Sequence, residues 1–207
     1  MNKILNGIKK VFKAVCRAIV SSSIYVYCKI VYKAKIIGKE NIPKEGSLIF
    51  CGNHRTYLDP PLIVVTSSRK MRFIAKEELK SNLLFSFLIF AYDGIYVKRD
   101  SKDIGPLKEA MKTLKSGGCI GIFPEGTRNG MEKNEGKLKN GAAYMSLKTG
   151  AKIIPIGITG GTKAFDQVTI KYGKPLDFSD LLKDKKAKDL EDYVSEEIKK
   201  EILKLSK

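Results

Sequence analysis

The sequence predicts an α/β fold: a mixed, largely parallel sheet flanked by helices, preceded by an amphipathic two-helix element. Two observations carry this. Short continuous apolar runs recur after Gly38, each bounded by Gly or Pro and too short for an ordinary helix, as buried strands are. Between them lie helical patterns with their own stop signals, and strands alternating with helices give a layered α/β sheet. A length of 207 residues suits one domain with a small appendage. Hydrophobic residues at 43% and charged residues at 29% support a packed core rather than disorder.

The N-terminal element comes first. On a helical wheel of residues 2–20, Ile4, Leu5, Ile8, Val11, Phe12, Val15 and Ile19 share an arc, with Lys9, Lys10, Lys13 and Arg17 beside and opposite it. A second helix is expected over roughly 21–33, with Tyr25, Tyr27 and Tyr32 suited to a membrane interface or to a core. The net charge is +17, and residues 1–39 carry nine basic side chains and no acid. A basic amphipathic helix suits either an anionic membrane surface or the flank of its own domain. The longest uncharged stretch, Ser81 to Tyr92, has twelve residues, so no transmembrane helix is expected. The basic residues here are mostly Lys, which argues against a transit peptide, and serines interrupt residues 18–28 as a signal-peptide core. The expected division is 1–37 for membrane-associating helices and 38–207 for the α/β domain.

Strands are expected at 48–51, 72–75, 94–97, 119–123, 153–158 and 168–172. Helices are expected over 101–118, which a glycine pair stops, over 140–150, which ends at Gly150, and over the C-terminal segment. There Leu190, Val194, Ile198, Ile202 and Leu205 fall at helical spacing. Cys16, Cys28, Cys51 and Cys119 form no C-x-x-C pair and read as reduced, mostly buried thiols; no metal site is expected.

Chemistry concentrates in three blocks. His54, the sole histidine, follows the apolar run 48–51, and ligands of open α/β sheets bind beyond the carboxyl ends of strands. Asp59-Pro60-Pro61 reads as a helix start with Asp59 as its cap. The same spacing lets Asp59 turn back to His54, fix its tautomer and leave the other ring nitrogen free to take a proton. The second block is Gly121 to Gly130, "GIFPEGTRNG", where Gly126 permits close backbone approach and Arg128 offers a planar fork for phosphate. On its own it reads equally as a polar turn. The third is the pair Lys98-Arg99 after 94–97, which also suits plain solvation. No G-x-S-x-G elbow is present. Residues 130–138 miss the phosphate-loop pattern in spacing and in Leu138.

Taken together, Asn53-His54…Asp59, "GIYVKRD" (94–100), "FPEGTR" (123–128) and "IIPIGI" (153–158) resemble, in order, the blocks of the glycerolipid acyltransferases with the N-H-x4-D signature. The chain is most similar to the bacterial 1-acylglycerol-3-phosphate acyltransferases, from about residue 38 to about 175. The resemblance implies acyl transfer from a thioester to a glycerol hydroxyl, with His54 as base and Asp59 as its support. The acceptor expected is the sn-2 hydroxyl of 1-acylglycerol-3-phosphate, giving phosphatidic acid, and the alternative is another lysophospholipid or a glycerol phosphate. It implies that Arg99, Glu125, Gly126, Thr127 and Arg128 bind the phosphorylated acceptor, with the acidic Glu125 orienting an Arg or a hydroxyl. Asn129 departs from the Ser often found there. The implied partners are lysophosphatidic acid, an acyl thioester of acyl carrier protein or coenzyme A, and an anionic membrane surface at the cytoplasmic face, held peripherally by a two-helix membrane-docking element. No further cofactor is implied. A nucleic-acid binder, the other class that +17 suggests, is disfavoured: the sequence has no helix-turn-helix, RNP or zinc-finger pattern, and the charge is densest on an amphipathic helix.

Overall fold

Alternation along β2 (Leu48–Gly52) sets up the whole domain. Its side chains point to opposite faces in turn, yet all five residues are buried, so both faces of the sheet must be covered. Leu48 and Phe50 belong to one core cluster, with Leu62, Phe73 and Ile156. Ile49 and Cys51 belong to the other, with Leu114, Met145, Val194 and Ile198. A computed structural model of the chain describes residues 2–98, 103–128, 138–161, 163, 165–183 and 187–207.

The other strands are β1 (Lys35–Ile37), β3 (Met71–Lys76), β4 (Ile95–Val97), β5 (Cys119–Ile122), β6 (Lys152–Gly160) and β7 (Val168–Tyr172). They form one sheet in the order β1-β7-β6-β2-β5-β3-β4. Only the β6–β7 pairing is antiparallel among the described strands. The mixed, largely parallel sheet expected from the sequence is therefore present, and each of the six expected strands forms. β1 was not foreseen; with three residues, one of them Lys, it carries no readable apolar run.

The described α-helices are α1 (Asn2–Val31), α2 (Asp59–Thr66), α3 (Leu83–Ala91), α4 (Gly105–Lys115), α5 (Gly141–Thr149) and α6 (Ala187–Leu205). Cys28 and Tyr32, at and just beyond the end of α1, join α2 on one face of the sheet. Helices α4, α5 and α6 cover the other. The three helices expected over 101–118, 140–150 and the C-terminal segment correspond to α4, α5 and α6.

Two expectations about the N-terminus need correction. The two predicted helices run as one, because residues 20–24 contain neither Gly nor Pro and serines alone do not break a helix. And Val11–Val31 is long and apolar enough, by length and composition, to cross a membrane. Counting uncharged runs missed it because isolated cations interrupt the apolar residues.

Candidate active site

Parallel pairing explains how distant residues meet. β2 and β5 lie side by side and run the same way, so the loops leaving their carboxyl ends emerge at the same edge. His54 follows β2, and Glu125 follows β5 after Phe123 and Pro124.

The loop after β2 is clamped at its first residues. The side-chain amide of Asn53 donates to the Ile158 carbonyl at 2.9 Å and accepts the Ile158 N–H at 2.7 Å. It thereby continues the β2–β6 ladder with a side chain where the backbone departs. Next, the N–H of His54 donates to Glu125 Oε1 at 2.8 Å. Glu125 is buried at 2% exposure, and burying a carboxylate is costly unless donors meet it. The sequence placed Glu125 on an Arg or a hydroxyl; its contact with the histidine backbone was not foreseen.

Asp59 closes the loop. The sequence read Asp59 as the cap of α2, but Leu58 occupies the capping position and Asp59 is the first helical residue, with no side-chain cap bond at this end. Leu62 N–H, the first donor after the two prolines, is taken by the Leu58 carbonyl, which leaves the Asp59 carboxylate to the loop before it. That carboxylate takes the N–H of Thr56 at 2.7 Å, the Thr56 hydroxyl at 3.0 Å and the N–H of Arg55. The fourth partner is His54 Nδ1, 2.9 Å from Oδ2. A carboxylate only accepts, so Nδ1 is the donor in this contact, and in the neutral ring the lone pair lies on Nε2. Asp59 is 2% exposed, and these four donors satisfy it.

The ring of His54 lies on that of Phe123, with centroids 4.2 Å apart and planes at 19°. Phe123 in turn stacks on Phe73 at 5.6 Å. The sequence offered no signal for this beyond the aromatic residue ahead of Pro124.

Arg128 lies over the Tyr57 ring, 4.0 Å from its centroid, and donates to the Tyr57 hydroxyl at 3.1 Å. The blocks carrying His54 and Arg128 therefore meet through Tyr57, which was not singled out from the sequence. Gly126 has φ +69°, and a Cβ there would strike the Lys139 side chain at 2.7 Å. The space the sequence assigned to a ligand is thus shared with a lysine from a third segment. Thr127 is half-buried beside it. Arg99 lies outside the described residues.

This geometry coincides with a family match. The Acyltransferase family model covers residues 33–159. The chain belongs to the acyltransferase family. It is 35% identical, over 60% of its length and 50% of the other protein, to a 1-acyl-sn-glycerol-3-phosphate acyltransferase of Borreliella burgdorferi. It is 30% identical, over 72% of its length and 56% of the other, to a probable enzyme of the same name from Mycoplasma pneumoniae. It thus spans about half the length of these curated relatives. The crystal structure of the 1-acyl-sn-glycerophosphate acyltransferase PlsC of Thermotoga maritima superposes with a TM-score of 0.65 at 28% identity, covering 91% of this acyltransferase and 80% of that chain.

Proposed function

We propose that this acyltransferase moves a fatty acyl group from a thioester, of acyl carrier protein or coenzyme A, to the sn-2 hydroxyl of 1-acylglycerol-3-phosphate, giving phosphatidic acid. The observation that carries the reading is the His54 Nδ1–Asp59 Oδ2 contact at 2.9 Å, which leaves Nε2 as a base at the carboxyl edge of the sheet.

His54 Nε2 takes the proton of the acceptor hydroxyl as that oxygen attacks the thioester carbonyl carbon. The tetrahedral intermediate collapses, the C–S bond breaks, and the departing thiolate recovers the proton from His54. Asp59 supports the imidazolium formed between these steps. Glu125 fixes the backbone from which His54 projects, so it is read as a positioning residue rather than a phosphate ligand. Arg128 is the candidate phosphate partner, since charge-assisted bonds to a guanidinium are among the stronger ones. Gly126 and Thr127 lie beside it, and Arg99 is assigned to the same phosphate on the resemblance alone. The reaction as written needs no metal or other cofactor.

We further infer that the enzyme lies on the cytoplasmic face of an anionic membrane without crossing it. Val11, Phe12, Val15 and Ile19 of α1 are exposed, whereas Lys13 and Arg17 bind Asp93 of the domain. Cys28, near the end of α1, is buried in the domain core. Both contacts keep the helix beside the domain, which supports a surface position over a spanning one.

The test is acyl transfer by wild type and His54→Ala, with lysophosphatidic acid as acceptor and the two thioesters supplied separately. The variant should lose about 10²–10⁴-fold in rate while still binding vesicles. Retained activity would sink the mechanism, and wild-type activity on a different lysophospholipid alone would replace the acceptor.

A further inference from the structure

Helix α3 is a nine-residue segment, LLFSFLIFA, and only Ala91 within it is buried. Leu83 is 88% exposed and Leu84 65%, with Phe87 and Phe90 also open. No charged side chain lies between Ser81 and Tyr92. A contiguous exposed apolar face of this kind marks an interaction site.

Its surroundings indicate what covers it. At its carboxyl end α3 meets α1: Lys13 Nζ lies 4.5 Å from the centroid of the Phe90 ring, Arg17 donates to the Ala91 carbonyl at 2.8 Å, and Ser21 bonds Tyr92. The apolar face of α3 is thereby tied to the helix that carries the exposed stripe of α1. Cations stand at both ends of α3: Lys13 and Arg17 at one, sharing the single carboxylate of Asp93, and Lys80 at the other, paired with Glu77. Toward the candidate active site, Phe85 packs on Tyr57 at 5.3 Å, and Tyr57 holds Arg128. An acidic carrier protein would need cations not already engaged, and those beside α3 are held by Asp93 and Glu77. A bilayer is met by the apolar face itself, with the two-to-one excess of cations over Asp93 favouring an anionic surface.

We propose that α3 is a second membrane-inserting element: Leu83, Leu84, Phe87 and Phe90 enter the surface of an anionic bilayer beside α1. The inference rests on the reading of α1 as a membrane-surface helix and of a lysolipid as the acceptor. Insertion of α3 sets Tyr57 and Arg128 at the lipid boundary, where the acceptor's phosphate resides.

The chain contains no tryptophan, so Leu83→Trp and Val15→Trp each introduce a single reporter, on α3 and α1 respectively. Each full-length variant is mixed with phosphatidylglycerol–phosphatidylethanolamine vesicles carrying brominated acyl chains. Quenching and a blue shift in both variants support the inference. Quenching of Val15→Trp alone overturns it and leaves the reading of α1 intact. Quenching of neither removes the membrane-surface reading and this inference together. A blue-shifted Leu83→Trp before vesicles are added, with sedimentation as a dimer, would assign the face to a second copy and also overturn it. Leu83→Asp/Leu84→Asp, at exposed positions that leave the core untouched, should weaken vesicle binding at least about tenfold. It should spare turnover of a soluble short-chain lysophosphatidate while losing turnover of vesicle-borne acceptor. Unchanged vesicle affinity in that variant would count against the proposal.

Discussion

Glu125 Oε1 accepts the backbone N–H of His54 at 2.8 Å, across 71 residues of sequence. A carboxylate from one acyltransferase block thus holds the main chain of another, and the histidine ring is placed from behind. Glu125→Ala removes that acceptor and leaves the His54 N–H without it. Since small misplacements of reacting groups cost on the order of 10²-fold, kcat should fall by about that factor. Glu125→Gln keeps a carbonyl oxygen at the same reach and should recover most of the rate. Equal losses in both variants would show that the negative charge, not the contact with His54, is what matters.

Arg128 is placed by Tyr57, through the ring face and the hydroxyl together. Arg128→Ala should raise the KM for a phosphorylated acceptor by roughly 10–100-fold with a smaller effect on kcat. Arg128→Lys keeps the charge but loses the planar fork, so it should fall between the two. Tyr57→Phe keeps the stack and loses only the hydroxyl contact; a KM near wild type is expected, against a clear rise for Tyr57→Ala. Steady-state kinetics with the acceptor varied checks the order, and an unaltered KM in Arg128→Ala would remove Arg128 from the acceptor site.

Asp93 anchors α1 by accepting from Lys13 and Arg17, with Arg17 at 2.8 Å. Burial alone would push its carboxyl up, but the hydrogen bond from Lys13 and the charges of Lys13, Arg17 and Lys70 outweigh it and hold it below the usual value. A depressed folded pKa means stabilisation that is present above the unfolded value, ~3.9, and is lost as pH falls through the folded one. Asp93→Asn keeps a residue tolerant of the left-handed backbone found there, φ 54°, while removing the charge. With the Asp93 side chain 36% exposed in both pairs, the stability gap to wild type at pH 7 should be no more than about 1 kcal/mol. Denaturant unfolding from pH 7 downward should show that gap closing below about pH 4. A gap that persists at pH 3 would assign the loss to something other than the ion pairs.

Much of this was legible in residue order, for identifiable reasons. The strands of the sheet centre announce themselves because burial on both faces makes them continuous apolar runs, as in Ile153–Ile158. The His54–Asp59 contact could be read because five residues and two prolines confine it to one loop. Helix α3 could not: with every residue apolar or small, it has no polar face from which to read a helical period. Nor could the Asn53–Ile158 clamp or the Glu125–His54 bond, which depend on which strands lie adjacent in the sheet. Sheet order is a long-range property, and spacing along the chain does not encode it.

Gly121 on β5 tests how far the positioning of His54 extends into the core. A Cβ at Gly121 would come within 2.5–2.7 Å of three atoms of the Phe73 ring, closer than real contacts allow. Phe73 is buried and cannot swing into solvent. It stacks on Phe123, and Phe123 carries the His54 ring. Gly121→Ala therefore forces the Phe73 ring to shift, and the Phe123 and His54 rings stacked beyond it lose their fixed support. Overpacking of this kind costs about 1–3 kcal/mol in stability. If the aromatic stack positions the base, kcat should also fall, by roughly tenfold or more, with the acceptor's KM little changed. Gly121→Ala/Phe73→Leu returns the space and should recover stability, but it also removes the ring behind Phe123. The double variant should therefore regain stability more fully than kcat. Parallel recovery of both would mean that Phe73 serves packing alone and that His54 is held by Asp59 and Glu125 without help from the aromatic stack.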